Sequence, residues 1–439
     1  MSQMHLISFQ INSPINHTIS SWSDPADNRV EALGSYKIWQ DLAKTLEAGC
    51  FDALFFADTP GVFDRYRDRV DEAVRYGVCW PNHDPLALLP AMAAATEHLG
   101  FAVTLSVSSL QPWQAVRMLS TFDYLSGGRA GWNVVTGHLR GEHRALGQDQ
   151  AAHDDRYDRA DEFLEVCHKF WSGIHPGAVL NDRQRGEFAD PAKVPLITHE
   201  GKYYRSRTVA PVLPSAQGHP VIFQAGSSGR GQKFALDHAE VTFSIQPHVA
   251  GMKAYMQKLR AAAEVAGRKD PVRVTFGLQP VLGGTEDEAR RIYRDLCERV
   301  PIDGALARLS GSLGVDFSQF DLDRPLEEMQ TDASQGLMQA MTAMVGGEAR
   351  MTLRELALRW GMAVGIMPLI GTPEQVAAQM ETIWRDTGCT GFNITPTINN
   401  RSTEDFVREV VPLLQNRGVM RRDYRHRTLR GNLLEGETA

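Results

Sequence analysis

The chain has 439 residues, of which 43% are hydrophobic and 23% are charged, and its formal net charge at pH 7 is −7. These values are typical of a globular protein with a large core, and one strand–helix barrel with insertions accounts for the length. The negative charge argues against general nucleic-acid binding, which needs a basic surface, and we interpret the Arg-rich tail Arg417–Arg430 as a solvated helix end.

The cysteines are scattered along the chain without any Cys-x-x-Cys pair. Their spacing predicts neither a zinc site nor a disulfide framework, and we expect no metal. An odd number of isolated thiols is typical of a reducing compartment, so we expect a cytoplasmic protein. The first 13 residues lack the features of a signal peptide, and no apolar run approaches the ~20 residues of a membrane helix.

Short apolar runs alternate with helical patterns almost throughout the chain. Eight runs predict strands: His5–Phe9, Ala53–Ala57, Phe101–Ser106, Ala130–Thr136, Pro220–Gln224, Val241–Ile245, Val272–Val281 and Gly391–Thr395. The patterns between them predict helices: Ser35–Glu47, Pro85–His98, Pro112–Tyr124, Tyr157–Trp171, a helix from Gln232, Met252–Ala266, Glu286–Arg299, Thr372–Asp386 and Thr403–Asn416.

Two stretches interrupt this alternation. Residues 172–218 are rich in Pro, Gly and charge, and residues 300–370 contain helical patterns, most clearly at Met338–Val345 and Leu353–Trp360. We expect residues 1–439 to form one barrel domain in which these two insertions act as lids, specificity elements or an oligomer surface.

Alternating strands and helices indicate a parallel sheet, and eight is the number of strands that closes a (β/α)8 TIM barrel. The alternative is an open, doubly wound sheet. Its usual dinucleotide motif, G-x-G-x-x-G after the first strand, is absent, so the pattern favours the barrel.

Ligands of α/β folds collect just beyond the carboxyl ends of the strands. Thr136, Gly137 and His138 occupy this position after the fourth strand, and Asp58 follows the second. A buried carboxylate is costly unless it is paired, so Asp58 either accepts from a ring N–H of a ligand, caps a helix or pairs with an arginine.

The loop Ala225–Gly231, with the sequence AGSSGRG, connects a strand to a helix. Its glycines, its two serines and the helix N-terminus favour a phosphate, although an ordinary turn has a similar composition. His153 and Tyr157 lie one turn apart at the start of another helix, where they either frame a cofactor or form a capped surface terminus.

Two histidines are candidates for proton transfer, because imidazole titrates near neutral pH. They are His138 and His17, and each could instead be a structural residue.

Several of these segments together resemble one protein family. They are, in chain order, FDALFFAD, LSGGRAGWNVVT, HDDRYDRADEFLEV, QAGSSGRGQKFALDHAE, GTPEQVAAQM, GFNI and VVPLLQNRG. The sequence resembles flavin-dependent monooxygenases of the bacterial-luciferase superfamily, in particular the branch of nitrilotriacetate, dibenzothiophene-sulfone and long-chain alkane monooxygenases. The resemblance extends from Leu6 to Leu433 and implies a (β/α)8 barrel with insertions.

The resemblance also implies a site for FMN. It would be formed by Asp58, Thr104 and Asn133 near the ring, and by His153, Tyr157, Ser227 and Ser228, with the serines and Tyr157 facing the phosphate. His138 matches a histidine of the alkane-oxidising members. Three positions depart from the family pattern: Gly137 replaces a common serine, and the segments 110–113 and 205–218 differ, which leaves the substrate open.

The activity implied by the resemblance is that of a two-component monooxygenase. A separate NAD(P)H:flavin reductase would supply FMNH2, which reacts with O2 to give a C4a-(hydro)peroxyflavin that oxygenates a small organic substrate. The candidate substrates are an alkane, an organosulfur compound, an aminopolycarboxylate or an N-heterocycle, and we expect a homodimer or homotetramer. The alternatives are a deazaflavin-dependent oxidoreductase that transfers hydride and a flavin-binding protein without turnover.

Overall fold

The structure is a computed structural model that describes residues 3–226, 228–268, 270, 273–328 and 351–434. The strands in these ranges are β1 (His5–Gln10), β2 (Ala53–Phe56), β3 (Gly100–Ser106), β4 (Ala130–Val135), β5 (Val179–Asp182), β6 (Glu187–Ala189), β7 (Ile197–Glu200), β8 (Arg205–Thr208), β9 (Val221–Gln224), β10 (Val241–Ser244), β11 (Arg273–Leu282), β12 (Met367–Gly371) and β13 (Gly391–Ile394).

Eight parallel strands form a closed barrel in the order β1-β2-β3-β4-β9-β10-β11-β13, because β13 pairs with both β11 and β1. This confirms the predicted (β/α)8 barrel. The predicted strands correspond to these eight. A further strand, β12, pairs with the second half of β11 and was missed because it lies in the expected insertion 300–370.

Alternating residues of the strands fill the barrel interior. Phe9, Phe55, Phe223 and Phe243 share one hydrophobic cluster there, and the rings of Phe9 and Phe243 have centroids 4.8 Å apart. The barrel is therefore a packed core, and a ligand has to bind at its carboxyl end.

Helices cover the outside of the barrel. Those in the described ranges are Arg29–Ala32, Tyr36–Ala48, Asp71–Arg75, Leu89–Ala93, Pro112–Leu125, Arg140–Ala145, His153–Trp171, Gly229–His238, Val249–Val265, Glu286–Glu298, Ile302–Leu313, Leu353–Ala363, Pro373–Thr387, Arg401–Glu409, Val411–Asn416 and Leu429–Leu434. Within these ranges no helix is long and apolar enough to cross a membrane.

The predicted helix Pro85–His98 is confirmed only in its first half, and its extent to His98 is wrong. The chain forms a short 3-10 turn followed by a helix that ends at Ala93, whose carbonyl accepts a hydrogen bond from the Arg129 guanidinium at 2.6 Å. The Glu47 carboxylate then accepts from the backbone N–H groups of residues 97–99. Both contacts come from residues distant in sequence, and they hold the end of this segment in a non-helical conformation.

The predicted helix Thr403–Asn416 is also divided, into Arg401–Glu409 and Val411–Asn416. Pro412 lies in the first turn of the second helix and has no N–H with which to continue the first. The predicted helix Met338–Val345 lies outside the described residues.

The Arg-rich tail is not the solvated helix end that we expected. Arg421 is buried and forms an ion pair with Asp52, whose carboxylate also accepts from His5 Nδ1 at 2.9 Å and from the Leu6 N–H at 3.0 Å. Arg430 donates to the carbonyl of His219 at 3.0 Å. The tail thus closes the amino-terminal end of the barrel, opposite the predicted site.

The two expected insertions differ in structure. Residues 172–218 form the hairpins β5–β6 and β7–β8, and the second is tied to the helix His153–Trp171 because Glu162 accepts from the N–H groups of Tyr203 and Tyr204. In the described part of 300–370, the helices Ile302–Leu313 and Leu353–Ala363 pack on the segment that follows β1. These two helices cover the carboxyl end of the barrel.

Candidate flavin site

Asp58 lies two residues beyond β2, where its side chain is half-buried. Its Oδ1 accepts a hydrogen bond from Asn82 Nδ2 at 2.7 Å, so the alternative of an arginine partner is not realised. Burial raises the pKa of Asp58 to about 6, and the nearby Asp84 carboxylate adds to the increase. Near neutral pH this carboxyl therefore holds its proton more tightly than an ordinary aspartate.

Thr104 and Asn133 are paired across β3 and β4 in the register of the barrel. The Thr104 hydroxyl donates to the carbonyl of Phe56 at 2.7 Å and accepts from Asn133 Nδ2 at 2.9 Å. Within the described residues the carboxamide oxygen of Asn133 is buried without a hydrogen-bond partner. Such an acceptor is costly unless a bound group donates to it, which fits an N–H or hydroxyl of a flavin.

The loop after β9 contains the predicted phosphate site. Ser228 caps the helix Gly229–His238, and its hydroxyl accepts from the Gly231 N–H at 3.0 Å. A Cβ atom on Gly226 or Gly231 would lie 2.9 or 2.7 Å from the hydroxyl of Tyr157, so glycine is required where the loop meets this side chain. Ser227, the other predicted phosphate ligand, lies outside the described residues.

His153 and Tyr157 are brought to this loop from the start of the helix His153–Trp171. His153 is exposed, and its Nε2 lies 3.3 Å from the Ser228 hydroxyl. Tyr157 is buried, its hydroxyl interacts with Ser228 and Gln224, and burial raises its pKa. These contacts join three of the predicted cofactor residues into one polar cluster.

His138 lies just after β4 and is exposed, while its carbonyl accepts from Gln150 Nε2 at 2.9 Å. The surrounding protein nevertheless displaces much of the bulk water, and this desolvation lowers the pKa of the imidazole, with a smaller contribution from the positive charge of Arg156. The His138 side chain therefore lies in an open recess of the protein, and its imidazole is neutral at pH 7.

His17 has a different environment. It is buried, and its ring stacks on Phe9 with centroids 4.2 Å apart and planes 12° from parallel. Burial, followed by the charge of Arg308, lowers its pKa well below the ordinary value. Among the described residues its Nε2 has no hydrogen-bond partner, and no hydrogen bond or ring contact links His17 to His138.

Sequence reasoning missed two side chains of this region. Glu142 is buried, its Oε1 has no partner among the described residues, and burial raises its pKa. The guanidinium of Arg156 is close enough to influence the titration of both Glu142 and His138. Gly137, at a position where the resemblance implies a serine, was the one available signal, because glycine leaves room for the Glu142 carboxylate.

Beside these residues a groove of about 600 Å³ opens between the helix His153–Trp171 and the hairpin β7–β8. Ser108, Arg156 and Tyr203 are among the residues that line it. No cluster of three or more metal-ligating side chains occurs in the part of the chain that the structure describes. The site therefore offers hydrogen-bonding groups and a glycine-rich loop at a helix N-terminus, a combination that would suit a flavin phosphate.

The sequence model of the luciferase-like monooxygenases matches residues 17–391. The chain belongs to this family. This luciferase-like monooxygenase is 36% identical to the dimethyl-sulfide monooxygenase of Hyphomicrobium sulfonivorans over 98% of the chain and 90% of that protein. It is 37% identical to the dibenzothiophene-sulfone monooxygenase of Rhodococcus erythropolis (strain XP), over 98% of the chain and 96% of that protein.

A solved structure shows the same fold. The crystal structure of a riboflavin lyase with modified FMN and riboflavin as substrate has a TM-score of 0.90 and 33% identity, with 99% of this chain and 96% of that chain covered. The family predicted from the motifs is thus confirmed, and the luciferase-like chain is a flavin-dependent monooxygenase, an oxidoreductase.

Proposed function

We propose that this protein is the oxygenase of a two-component system and uses FMNH2 from a separate NAD(P)H:flavin reductase together with O2. The observation that carries this proposal is the polar cluster of Ser228, Tyr157 and His153 on the same barrel end as the unpartnered oxygen of Asn133. The cluster fits a phosphate, and Asn133 fits a polar group of the ring or ribityl chain.

In this proposal Asp58, Thr104 and Asn133 hold the ring side of FMN, while His153, Tyr157, Ser227 and Ser228 hold the phosphate side. Reduced FMN, when bound, supplies the two electrons with which one oxygen atom of O2 enters the substrate and the other leaves as water. The chain binds and orients the cofactor and excludes water from it.

His138 is proposed to transfer protons at the reacting end of the site. Its neutral imidazole can accept a proton at one ring nitrogen and donate from the other, and such help is typically worth about 10²–10⁴-fold in rate. His17 is proposed as a second catalytic histidine. Because burial keeps it neutral and its Nε2 is unpartnered, it can exchange a hydrogen bond with a bound group.

We further propose that residues 1–439 form one domain, with 172–218 and 300–370 as insertions, and that the protein is a cytoplasmic homodimer or homotetramer. The turn of the hairpin β7–β8 lines the groove beside the candidate site, and the helices Ile302–Leu313 and Leu353–Ala363 pack on the segment that follows β1, which suits lids and specificity elements.

The test is oxygen uptake by the purified chain with photochemically reduced FMN and a panel of alkanes, sulfides, sulfones, aminopolycarboxylates and N-heterocycles. We expect FMNH2 binding and an oxygenated product from at least one class. Turnover of reduced deazaflavin without O2 would indicate the hydride-transfer alternative. Binding of FMN with no product from any class, and no stimulated oxygen uptake, would indicate a flavin-binding protein.

A further inference from the structure

Val364 has an unusual backbone conformation. It ends the helix Leu353–Ala363 in the left-handed region, with φ 49° and ψ 34°. Helix ends of this kind normally carry glycine, as they do here at Gly314 and Gly388. A β-branched residue is strained in this region, so a valine at this position needs a compensating role.

The side chain of Val364 lies at the carboxyl end of the barrel. It packs against the interior cluster that contains Phe9 and Phe243, together with Ala57 and Ile245. A Cβ atom on the next residue, Gly365, would lie 3.9 Å from the side chain of Ile245, which directly follows β10, so Val364 lies at the mouth of the barrel.

Hydrogen bonds hold this helix end against the segment that carries His17. The carbonyl of Gly361 accepts from the Ile19 N–H at 2.9 Å, and that of Met362 accepts from the Thr18 hydroxyl at 2.9 Å. The N–H of Val364 itself donates to the carbonyl of Trp360 at 2.9 Å. The backbone of residue 364 is therefore fixed whatever its side chain, and the valine is not needed to form the turn.

Burial does not account for the valine either. The neighbours Ala363 and Ile366 are buried, whereas Val364 remains partly exposed. Val364 thus packs on the barrel interior with part of its surface accessible, and the cluster on which it packs contains Phe9, whose ring stacks on His17. An apolar, rigid group in this place suits contact with an apolar part of a small molecule.

We propose that Val364 forms part of the wall of the substrate space and determines the size of the apolar alkyl or aryl group that this space admits. This inference rests on the proposed monooxygenase function. The inference implies that the substrate has an apolar end. It also implies that the residue at position 364 sets the size of the substrate that the barrel mouth accepts.

The test compares Val364→Gly and Val364→Leu with the wild type, using dimethyl sulfide as a small probe and dibenzothiophene sulfone as a large one. We expect Val364→Gly to shift the ratio of kcat/KM toward the large probe by about tenfold, and Val364→Leu to shift it the other way, since one methylene in an apolar pocket is worth about 10–200-fold. Asn181→Gly is the matched control, because Asn181 has φ 50° in the exposed hairpin β5–β6.

A second measurement does not depend on either probe. With the enzyme in excess over FMNH2, we expect bound FMNH2 to reoxidise in air several-fold faster in Val364→Gly, because water enters the opened wall, and at the wild-type rate in Asn181→Gly. An active Val364→Gly with unchanged reoxidation and an unchanged probe ratio would overturn the inference alone. A wild type that neither binds FMNH2 nor consumes O2 would instead overturn the proposed function.

Discussion

The carboxylate of Glu142 lies 2.9 Å from the position that a Cβ atom would take on Gly137. Gly137 has φ +70°, and its Cβ would also lie 3.1 Å from the Ser108 hydroxyl. A side chain at position 137 would therefore compete with the Glu142 carboxylate for the same space.

Gly137→Ser should destabilise the fold by about 1–3 kcal/mol, because the new side chain meets the Glu142 carboxylate in a left-handed backbone. Adding Glu142→Ala should recover part of this loss. Thermal and denaturant unfolding measure both effects. Gly147→Ser is the control, since Gly147 has φ +66° but no atom within 4 Å of its Cβ position. An equal loss in Gly147→Ser would show that the backbone conformation, and not Glu142, is responsible.

Asp58→Asn should stabilise the protein at pH 7.5 and leave it nearly unchanged at pH 4. The folded pKa of about 6 lies above the unfolded value of 3.8, so the folded state binds more protons between these values and loses stability as the pH rises through them. At pH 7.5 we expect the free energy of unfolding to increase by about 1–2 kcal/mol, a value that is discounted because the side chain is partly exposed. We also expect the variant to bind FMN more weakly. Unfolding curves at the two pH values test this, with the exposed Asp149→Asn as control. A gain that is equal at both pH values would contradict the assignment.

His138→Ala should abolish or sharply slow product formation while FMN affinity and melting temperature change little, because the imidazole is exposed and donates no structural hydrogen bond among the described contacts. Hydrogen peroxide release should rise as oxygen is reduced without reaching the substrate. Product, peroxide and melting temperature are measured on one preparation. A lower melting temperature with wild-type product per folded molecule would make His138 a structural residue.

The same side chain gives a pH dependence. Desolvation lowers the folded pKa of His138 below its ordinary 6.5, so the neutral imidazole persists below that pH in the folded protein. As the pH falls through 6.5 the unfolded state takes up the proton first, and the contribution of His138 to stability decreases. If neutral His138 is the base, the wild-type rate should fall at a pH below 6.5. A wild-type rate that instead falls above pH 7, with no such fall in His138→Ala, would contradict the assignment of neutral His138 as the base.

Ser228→Ala and Tyr157→Phe should each weaken FMN binding by several-fold to about a hundredfold, because a hydrogen bond to a charged group is worth about 1.5–3 kcal/mol. Riboflavin lacks the phosphate and serves as the internal control, since its affinity should change little. Titration of tyrosine and tryptophan fluorescence with both ligands measures the difference. If the variants still prefer FMN over riboflavin as strongly as the wild type does, the loop after β9 is only a turn.

Much of the fold could be predicted because its signals are local. The barrel strands are short apolar runs, and the predicted helix Thr372–Asp386 is found as Pro373–Thr387, capped by Thr372 with a reciprocal hydrogen bond from Gln375. The helix prediction for residues 85–98 failed in part because hydrogen bonds with Arg129 and Glu47, which are distant in sequence, outweigh the local helical pattern. The strand β12 was missed for a related reason: it lies in the expected insertion 300–370, and its pairing with the second half of β11 defines it.

The sequence by itself determined the eight barrel strands, the family and the polar residues that follow several strands, because strand periodicity, glycine-rich turns and helix caps act between neighbours in the chain. Only the tertiary structure decided that Asn133 keeps an unpartnered oxygen, that His17 lies stacked on Phe9, and that the tail places Arg421 against Asp52. Burial and the free space around a side chain depend on how separate elements of the fold pack against each other. These contacts set the pKa of Asp58 and the room beside Gly137, and no local pattern encodes them.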